Sequence, residues 1–160
     1  MLGLPPPFSA VEDVVLGIRR LLTAWGFPES CALIFAVLAL SPRPLTMGEI
    51  AGITRYGKST VCAGLKLLER AGLVSKVKMN RRYLYQVNVD LLGVLVDRQL
   101  RMLRRVVEPL RDRLHELLGR DEIGEELRGR LRLVHRELGR LADYLRSAVK
   151  AYKREGGESC

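Results

Sequence analysis

The stretch that decides the fold of this 160-residue chain is Thr46–Arg82, TMGEIAGITRYGKSTVCAGLKLLERAGLVSKVKMNRR. Thr46 and Glu49 have the spacing of a capping box, in which each side chain binds the other residue's backbone N–H at the start of a helix. We therefore expect a short helix that begins at this box. The residues Arg55 to Gly57 predict a turn directly after it.

A second helix is predicted after the turn, from about Lys58 to Ala71, with Gly72 as its C-terminal stop. Its apolar positions recur at i, i+4 and i+7, which is typical of a helix with one buried face: Val61, Leu65 and Leu68. The pattern leaves polar side chains for the outer surface, namely Lys58, Thr60, Lys66 and Arg70.

A β-hairpin is predicted next. Residues 73–79 alternate, with Lys76 and Lys78 on one face of the strand and Val77 and Met79 on the other, and residues 83–87 are rich in β-forming side chains. A polar, basic turn at residues 80–82 joins the two strands. The order helix, turn, helix, hairpin is that of a winged helix-turn-helix, so the fold class is mainly α with a small hairpin and long additional helices.

The flanking sequence is helical. Ser9 and Glu12 predict a capping box for a first helix, residues 29–41 predict a wholly buried helix, and two long helices are expected at about 91–118 and 121–154, with a kink or junction at Pro109. The predicted organisation is a loose lead-in at 1–8, an N-terminal helix at 9–27, the winged helix-turn-helix at 28–90, a helical region at 91–154 and a mobile tail at 155–160.

Charge indicates a polyanionic partner. The chain has 27 Lys and Arg against 18 Asp and Glu, a net charge of +9. Residues 55–82 hold eight basic residues and one acid, which is +7 of that total. A helix fits the DNA major groove and a basic hairpin reaches phosphates or the adjacent minor groove. The residues predicted to contact duplex DNA are Arg55, Lys58, Ser59, Thr60, Lys66, Lys76, Lys78, Arg81 and Arg82.

The segments KSTV (58–61) and LLERAGLV (67–74), with Leu65 between them, resemble the recognition-helix-to-strand region of MarR-type and GbsR-type winged-helix regulators. The resemblance covers about residues 28–90. It implies that the first turns of the second helix and Lys66 face the groove, that Arg81 and Arg82 touch the backbone or minor groove, and that the protein is a homodimer through its N- and C-terminal helices. Cys62 departs from the family, in which a small hydroxyl residue is common at this position.

The C-terminal half predicts association with a second copy. Apolar residues follow the 3–4 spacing of a coiled coil in both long segments. The residues assigned to this seam are Leu92, Val96, Leu103, Leu131, Val134, Leu138, Leu141 and Leu145. A twofold dimer requires an inverted-repeat operator with half-sites about 10 bp apart or a multiple of that spacing.

Two other functions are compatible with parts of the sequence. A winged helix also serves as a protein–protein interaction module, since fold does not fix function. Gly52–Ser59 matches the phosphate-binding pattern GxxxxGK[ST], and Leu91–Asp97 imitates an apolar strand that ends in a magnesium-binding aspartate. That motif needs a buried strand before its glycine loop, whereas a capped helix is predicted there, and Gly57 is interpreted as a turn residue.

No catalytic residue, metal site or cofactor is predicted, and His115 and His135 are interpreted as surface residues. Cys31 is assigned to the core, and Cys62 is either a small packing residue or a redox-sensitive thiol. Because the three cysteines do not form a disulfide framework and no apolar run spans a bilayer, a cytoplasmic protein without a membrane partner is expected. A small-molecule effector is compatible with this class, although no sequence feature identifies one.

Overall fold

The computed structural model describes residues 2–88 and 90–156. The chain divides between Leu91 and Leu92 into an N-terminal unit and a C-terminal unit. The fold is mostly helical with one small antiparallel sheet, which confirms the predicted fold class. Within the described residues, no helix is both long enough and apolar enough to cross a membrane.

The N-terminal unit begins with a 3₁₀ turn at Phe8–Val11 and continues as α1, Glu12–Ala24. The capping box expected at Ser9 and Glu12 is wrong, because the Glu12 carboxylate accepts a hydrogen bond from the Leu2 backbone N–H instead. The α-helix therefore starts later than predicted. Two side chains of the lead-in are buried, Leu4 and Phe8.

The core of this unit is α2, Glu29–Leu40, in which every side chain of residues 31–38 is buried. The helices α1, α3 and α4 and strand β3 all pack against it. A helix that is apolar on all sides needs cover on all sides, so the predicted buried helix is confirmed and occupies the centre.

The helix-turn-helix consists of α3, Met47–Thr54, and α4, Lys58–Arg70. A Cβ on Gly64 of α4 would lie only 2.7 Å from Ile34 Cδ1 and 3.6 Å from Cys31 Sγ of α2. Because ordinary Cβ contacts are longer than the first of these distances, a larger residue here would require the Ile34 side chain to move, so glycine suits the close packing of α4 on α2.

The sheet has the strand order β1–β3–β2 and is antiparallel throughout. The strands are β1, Leu45–Thr46, β2, Val74–Met79, and β3, Arg82–Val87. The hairpin expected from the sequence is thus confirmed. Strand β1 was not predicted, because two residues show no alternation; its register, Leu45 opposite Tyr85, attaches the start of α3 to the wing.

The C-terminal unit contains α5, Leu91–Met102, and α6, Glu108–Leu118, joined by a π-helical turn at Leu103–Val107. The Glu108 N–H donates to the Leu103 carbonyl, five residues back. Pro109 follows directly and has no N–H to continue the normal pattern, so the junction expected at this proline takes the form of a π turn.

Helix α7, Glu125–Arg154, runs antiparallel to α5 and α6 and starts later than the predicted residue 121. The loop between α6 and α7 is therefore longer than predicted, and the Arg128 guanidinium stabilises it. It donates hydrogen bonds to the carbonyls of Leu118 (2.7 Å), Arg120 (2.9 Å) and Ile123 (3.2 Å). The side chain thereby satisfies carbonyls at and after the end of α6. Of the predicted mobile tail, residues 157–160 lie outside the described residues.

The close approach of α4 to α2 gives a stability prediction. Gly64→Val should lower the free energy of unfolding by about 1–3 kcal/mol, because it overpacks a buried contact. The matched Gly52→Val should change it by about 0.5 kcal/mol or less, since nothing lies within 4 Å of a Cβ at Gly52. Chemical denaturation measures both changes, and equal losses would show that the contact at Gly64 is unimportant.

Candidate nucleic-acid interface

The first helix of the motif is fixed at its N-terminus. Thr46 Oγ1 accepts a hydrogen bond from the Glu49 N–H (3.2 Å), and Glu49 Oε2 accepts one from the Thr46 N–H (2.8 Å), so the predicted capping box is confirmed. Arg43 donates to the other carboxylate oxygen of Glu49 at 2.6 Å. This hydrogen bond and those from Thr46 lower the pKa of Glu49 from 4.5 to about 2.

The turn between the helices is built from Thr54 to Gly57. The buried Thr54 hydroxyl donates to the Ile50 carbonyl at 2.7 Å, and Arg55 adopts a left-handed conformation with φ 60°. Gly57 has φ −63° and ψ 152°, and its carbonyl accepts the Val61 N–H of α4. Gly57 is therefore the N-cap of α4, and the residue that reverses the chain is Arg55.

Helix α4 separates its two faces as the sequence predicts. Val61, Leu65 and Leu68 are buried, whereas Lys58, Ser59, Thr60 and Lys66 are exposed. Sequence reasoning did not assign Ala63 and Leu67, which are also exposed on this helix. Small apolar side chains suit contact with thymine methyl groups, so Ala63 belongs to the candidate surface.

The wing carries four of the predicted basic residues, all exposed: Lys76, Lys78, Arg81 and Arg82. Lys76 and Lys78 lie on the strand face that also carries the buried Val74, and Lys78 is directly opposite Tyr83. Lys76 Nζ lies 4.9 Å from the centre of the Tyr83 ring. This cation–π contact holds one lysine against the wing while its charge stays exposed.

Two of the predicted contact residues occupy backbone positions that favour glycine. Arg55 has φ 60° and Arg81 has φ 66°, and Asn80, which shares the hairpin turn with Arg81, has φ 48°. Two consecutive left-handed residues form a type I′ turn, for which Asn-Gly is the preferred pair. An arginine at either position costs conformational energy, and such strain is concentrated at functional sites.

Arg43 is a basic residue that sequence reasoning missed. It lines a groove of about 620 Å³ between the start of α3 and the wing, together with Glu49, Asn80 and Arg82 among others. The pairing of β1 with β3 brings Arg43 to the wing across 39 positions of sequence. Its position between Pro42 and Pro44 was the one local signal, because prolines keep that segment out of a helix.

The nucleotide-binding alternative does not match the local structure. Gly52 to Thr54, which would form the glycine loop, are the last residues of α3, and the apolar run from Leu91 lies in α5. Neither segment has the strand that the phosphate-binding motif requires. Within residues 2–88 and 90–156, no group of three or more His, Cys, Asp or Glu side chains is placed to hold a metal ion.

The cysteines have different surroundings. Cys31 lies in the core between α2 and α4, and burial raises the pKa of its thiol. Cys62, on α4, is partly exposed. Cys160 lies outside the described residues.

The residues predicted for the dimer seam fall into two groups. Val96, Leu103 and Leu145 are buried inside the C-terminal unit, where α5 and the π turn pack against α7. The others are exposed or half-buried: Leu92, Leu131, Val134, Leu138 and Leu141. One chain thus buries three of the eight in its own core and packs a fourth, Leu138, against it, and contact with a second copy stays a prediction.

Comparison with known proteins supports the helix-turn-helix. A family model described as bacterial regulatory protein, arsR family, matches residues 36–76, which run from α2 into β2. This match names the arsR family where the sequence resemblance named MarR-type and GbsR-type regulators. No sequence among curated proteins matches the chain.

A solved crystal structure, described only as that of a transcriptional regulator, has the same fold, with a TM-score of 0.67. It is 14% identical, and the alignment covers 91% of this chain and 99% of that one. The aligned region therefore extends beyond the helix-turn-helix and includes residues of both units. Together the comparisons support a winged helix-turn-helix of the kind that regulators use to bind DNA.

The capping box gives a pH prediction. Because the folded pKa of Glu49 is lowered from 4.5 to about 2, its ionised form stabilises the fold fully above about pH 5 and loses that effect as the pH falls toward 2. Glu49→Gln keeps the cap but removes the charge. The difference in unfolding free energy between wild type and this variant should be constant above about pH 5 and shrink below it. Urea denaturation across the range measures it, and a pH-independent difference would contradict the assignment.

Proposed function

We propose that this protein is a transcriptional regulator that binds double-stranded DNA sequence-specifically, as a homodimer on an inverted-repeat operator. One observation carries the proposal: all nine residues predicted to contact DNA are exposed, and they lie on α4, the turn before it and the wing. A cytoplasmic location follows from a DNA partner. The finer MarR-type or GbsR-type assignment stays a prediction.

The two elements have different tasks on the duplex. The exposed face of α4 enters the major groove, where Thr60 and Lys66 contact base edges. The wing contributes point charges that neutralise phosphates, a contact that positions the protein without reading sequence. Arg43 extends this basic surface to the groove beside α3, where its pairing with Glu49 orients the guanidinium.

The C-terminal helices supply an apolar face for a second copy. In α7 and in the segment from α5 through the π turn, an exposed apolar residue directly precedes a buried one: Met102 before Leu103, Val106 before Val107, Leu141 before Ala142 and Tyr144 before Leu145. When two helices pack antiparallel, the residue one position before each inward-facing residue points to the same side of the helix pair on both helices. The exposed residues therefore form one apolar side, which favours burial against another chain.

Helix α1 has a smaller face of the same kind. Its inner side packs on α2, whereas Val11, Val14 and Leu21, at helical spacing, are exposed around α1. This supports the proposal that the N-terminal helix also contributes to the dimer. A solitary apolar residue on a surface is ordinary, but a spaced set of three is typical of a contact face.

Loss of a wing charge should separate DNA binding from stability. Arg81→Gly should weaken binding and reduce the slope of log affinity against log salt by about 1, because one phosphate contact is lost. It should also stabilise the hairpin by up to about 1 kcal/mol, since glycine suits the left-handed turn. Arg20→Ala on α1 removes the same charge away from this surface and is the control. Equal effects of both variants on binding would contradict the wing assignment.

Changes on α4 should alter which sequence is bound. Thr60→Ala and Lys66→Ala should each change discrimination at individual base pairs by about 1–3 kcal/mol. Selection of binding sites from random duplexes with wild type and variants measures this change, and it also reports whether the preferred site is an inverted repeat. If purified protein selects no duplex at all, the winged helix acts instead as a protein-binding module.

A further inference from the structure

Helix α7 carries a second heptad stripe that residues 2–88 and 90–156 leave largely exposed. Its apolar members recur every seven residues at Leu127, Val134, Leu141 and Ala148, with Arg130, Glu137 and Tyr144 midway between them. Leu127 is 55% exposed, Val134 49% and Tyr144 67%. This alternation of three and four residues is the pattern of a helix that packs along a second helix.

The covered stripe of α7 lies beside it. Leu138, Ala142, Leu145 and Val149 pack in the two apolar clusters with residues of α5 and the π turn. The helix therefore already has one partner within its own chain. A second stripe of the same period, on a neighbouring face, needs a partner that the described part of the chain does not supply.

The charges on this stripe identify the partner. Arg130 and Glu137 are placed almost symmetrically about Val134, with Leu127 and Leu141 as the next apolar pair outward. We propose that the partner is the α7 of a second copy of this chain, packed antiparallel with Val134 at the twofold axis. This deepens the homodimer of the proposed function and rests on it.

In this register each charge meets its opposite. Arg130 lies opposite the partner's Glu137, and Leu127 lies opposite the partner's Leu141, and the twofold axis repeats both pairs. A parallel pairing in register would instead place Arg130 against the partner's Arg130, and like charges at a contact are unfavourable. The charge pattern therefore selects the antiparallel orientation.

The single chain leaves these groups available. Arg130 has no ion-pair partner among the described residues. Glu137 lies 3.1 Å from Arg140 and 3.7 Å from Arg136, but all three side chains are more than half exposed, so both ion pairs are weak and can be shared. A concavity of about 390 Å³, lined by residues that include Arg130, Val134, Glu137 and Leu141, lies at the centre of the stripe and can receive side chains of the partner helix.

Cysteine cross-linking in the full chain tests the register, with Cys62→Ser and Cys160→Ser as the background and Cys31 left in the core. Val134→Cys should form a disulfide-linked dimer under mild oxidation. Leu127→Cys alone and Leu141→Cys alone should not, because in the antiparallel register equivalent residues lie well apart. A mixture of these two variants should cross-link. The control is Arg132→Cys, an exposed position outside the stripe whose ion pair is with Glu125, and it should give no dimer.

Charge reversal gives an independent test. Arg130→Glu alone and Glu137→Arg alone should each raise the dimer dissociation constant about tenfold or more, because both symmetric ion pairs become repulsive. The double variant should restore association, and so should a mixture of the two single variants. Sedimentation equilibrium measures each case without relying on side-chain oxidation.

The outcomes separate this inference from the proposed function. Cross-linking of Leu127→Cys with itself would overturn the antiparallel register, and so would a wild-type dimer whose association is insensitive to both charge reversals. Either result leaves the DNA-binding homodimer standing. A wild-type chain that is monomeric at micromolar concentration and binds no duplex would overturn the proposed function itself.

Discussion

The close contact between α4 and α2 is the constraint on which the candidate interface depends. Because α4 packs on α2 through the side that carries Gly64 and its buried apolar residues, the opposite side, with Ser59, Thr60 and Lys66, faces outward. The core helix α2 also receives α3 and β3, so the turn and the wing are positioned by the same element. The arrangement of the basic residues is thus a consequence of apolar packing.

Two of the basic residues lie at backbone positions where a non-glycine residue lowers the stability of the fold. Arg55 and Arg81 occupy left-handed positions that glycine would fill more cheaply, and Arg81 lies in a type I′ turn. A sequence selected for stability alone would replace both. They lie at two exposed positions of the motif, before α4 and at the wing tip. A polyanionic partner explains their presence best, because the free energy of binding offsets the folding free energy lost to backbone strain.

The sequence predicted those features that depend on local pattern. The Thr46–Glu49 cap, the buried face of α4, the hairpin and the buried helix each have a periodic or positional signal, and the structure contains all four. What could not be predicted depends on contacts distant in sequence: the two-residue strand β1, the place of Arg43 beside the wing, and the capping of the loop before α7 by Arg128. The capping box predicted at Ser9 is the reverse case: the local spacing is present, but the Glu12 carboxylate binds the Leu2 N–H instead.

The apolar heptad residues of α7 fall into two sets, one packed inside its own chain and one exposed. Residues of both stripes of α7 repeat at seven, so periodicity alone cannot tell Leu145, which is buried in its own chain, from Leu141, which is exposed. The distinction rests on which residues α5 and α6 already cover. An isologous contact through the remaining stripe uses the same patch on both copies and closes after two chains. In the proposed homodimer, two DNA-binding units held together by such a contact would address two half-sites at once, so the affinity for an operator would depend on residues that do not touch DNA.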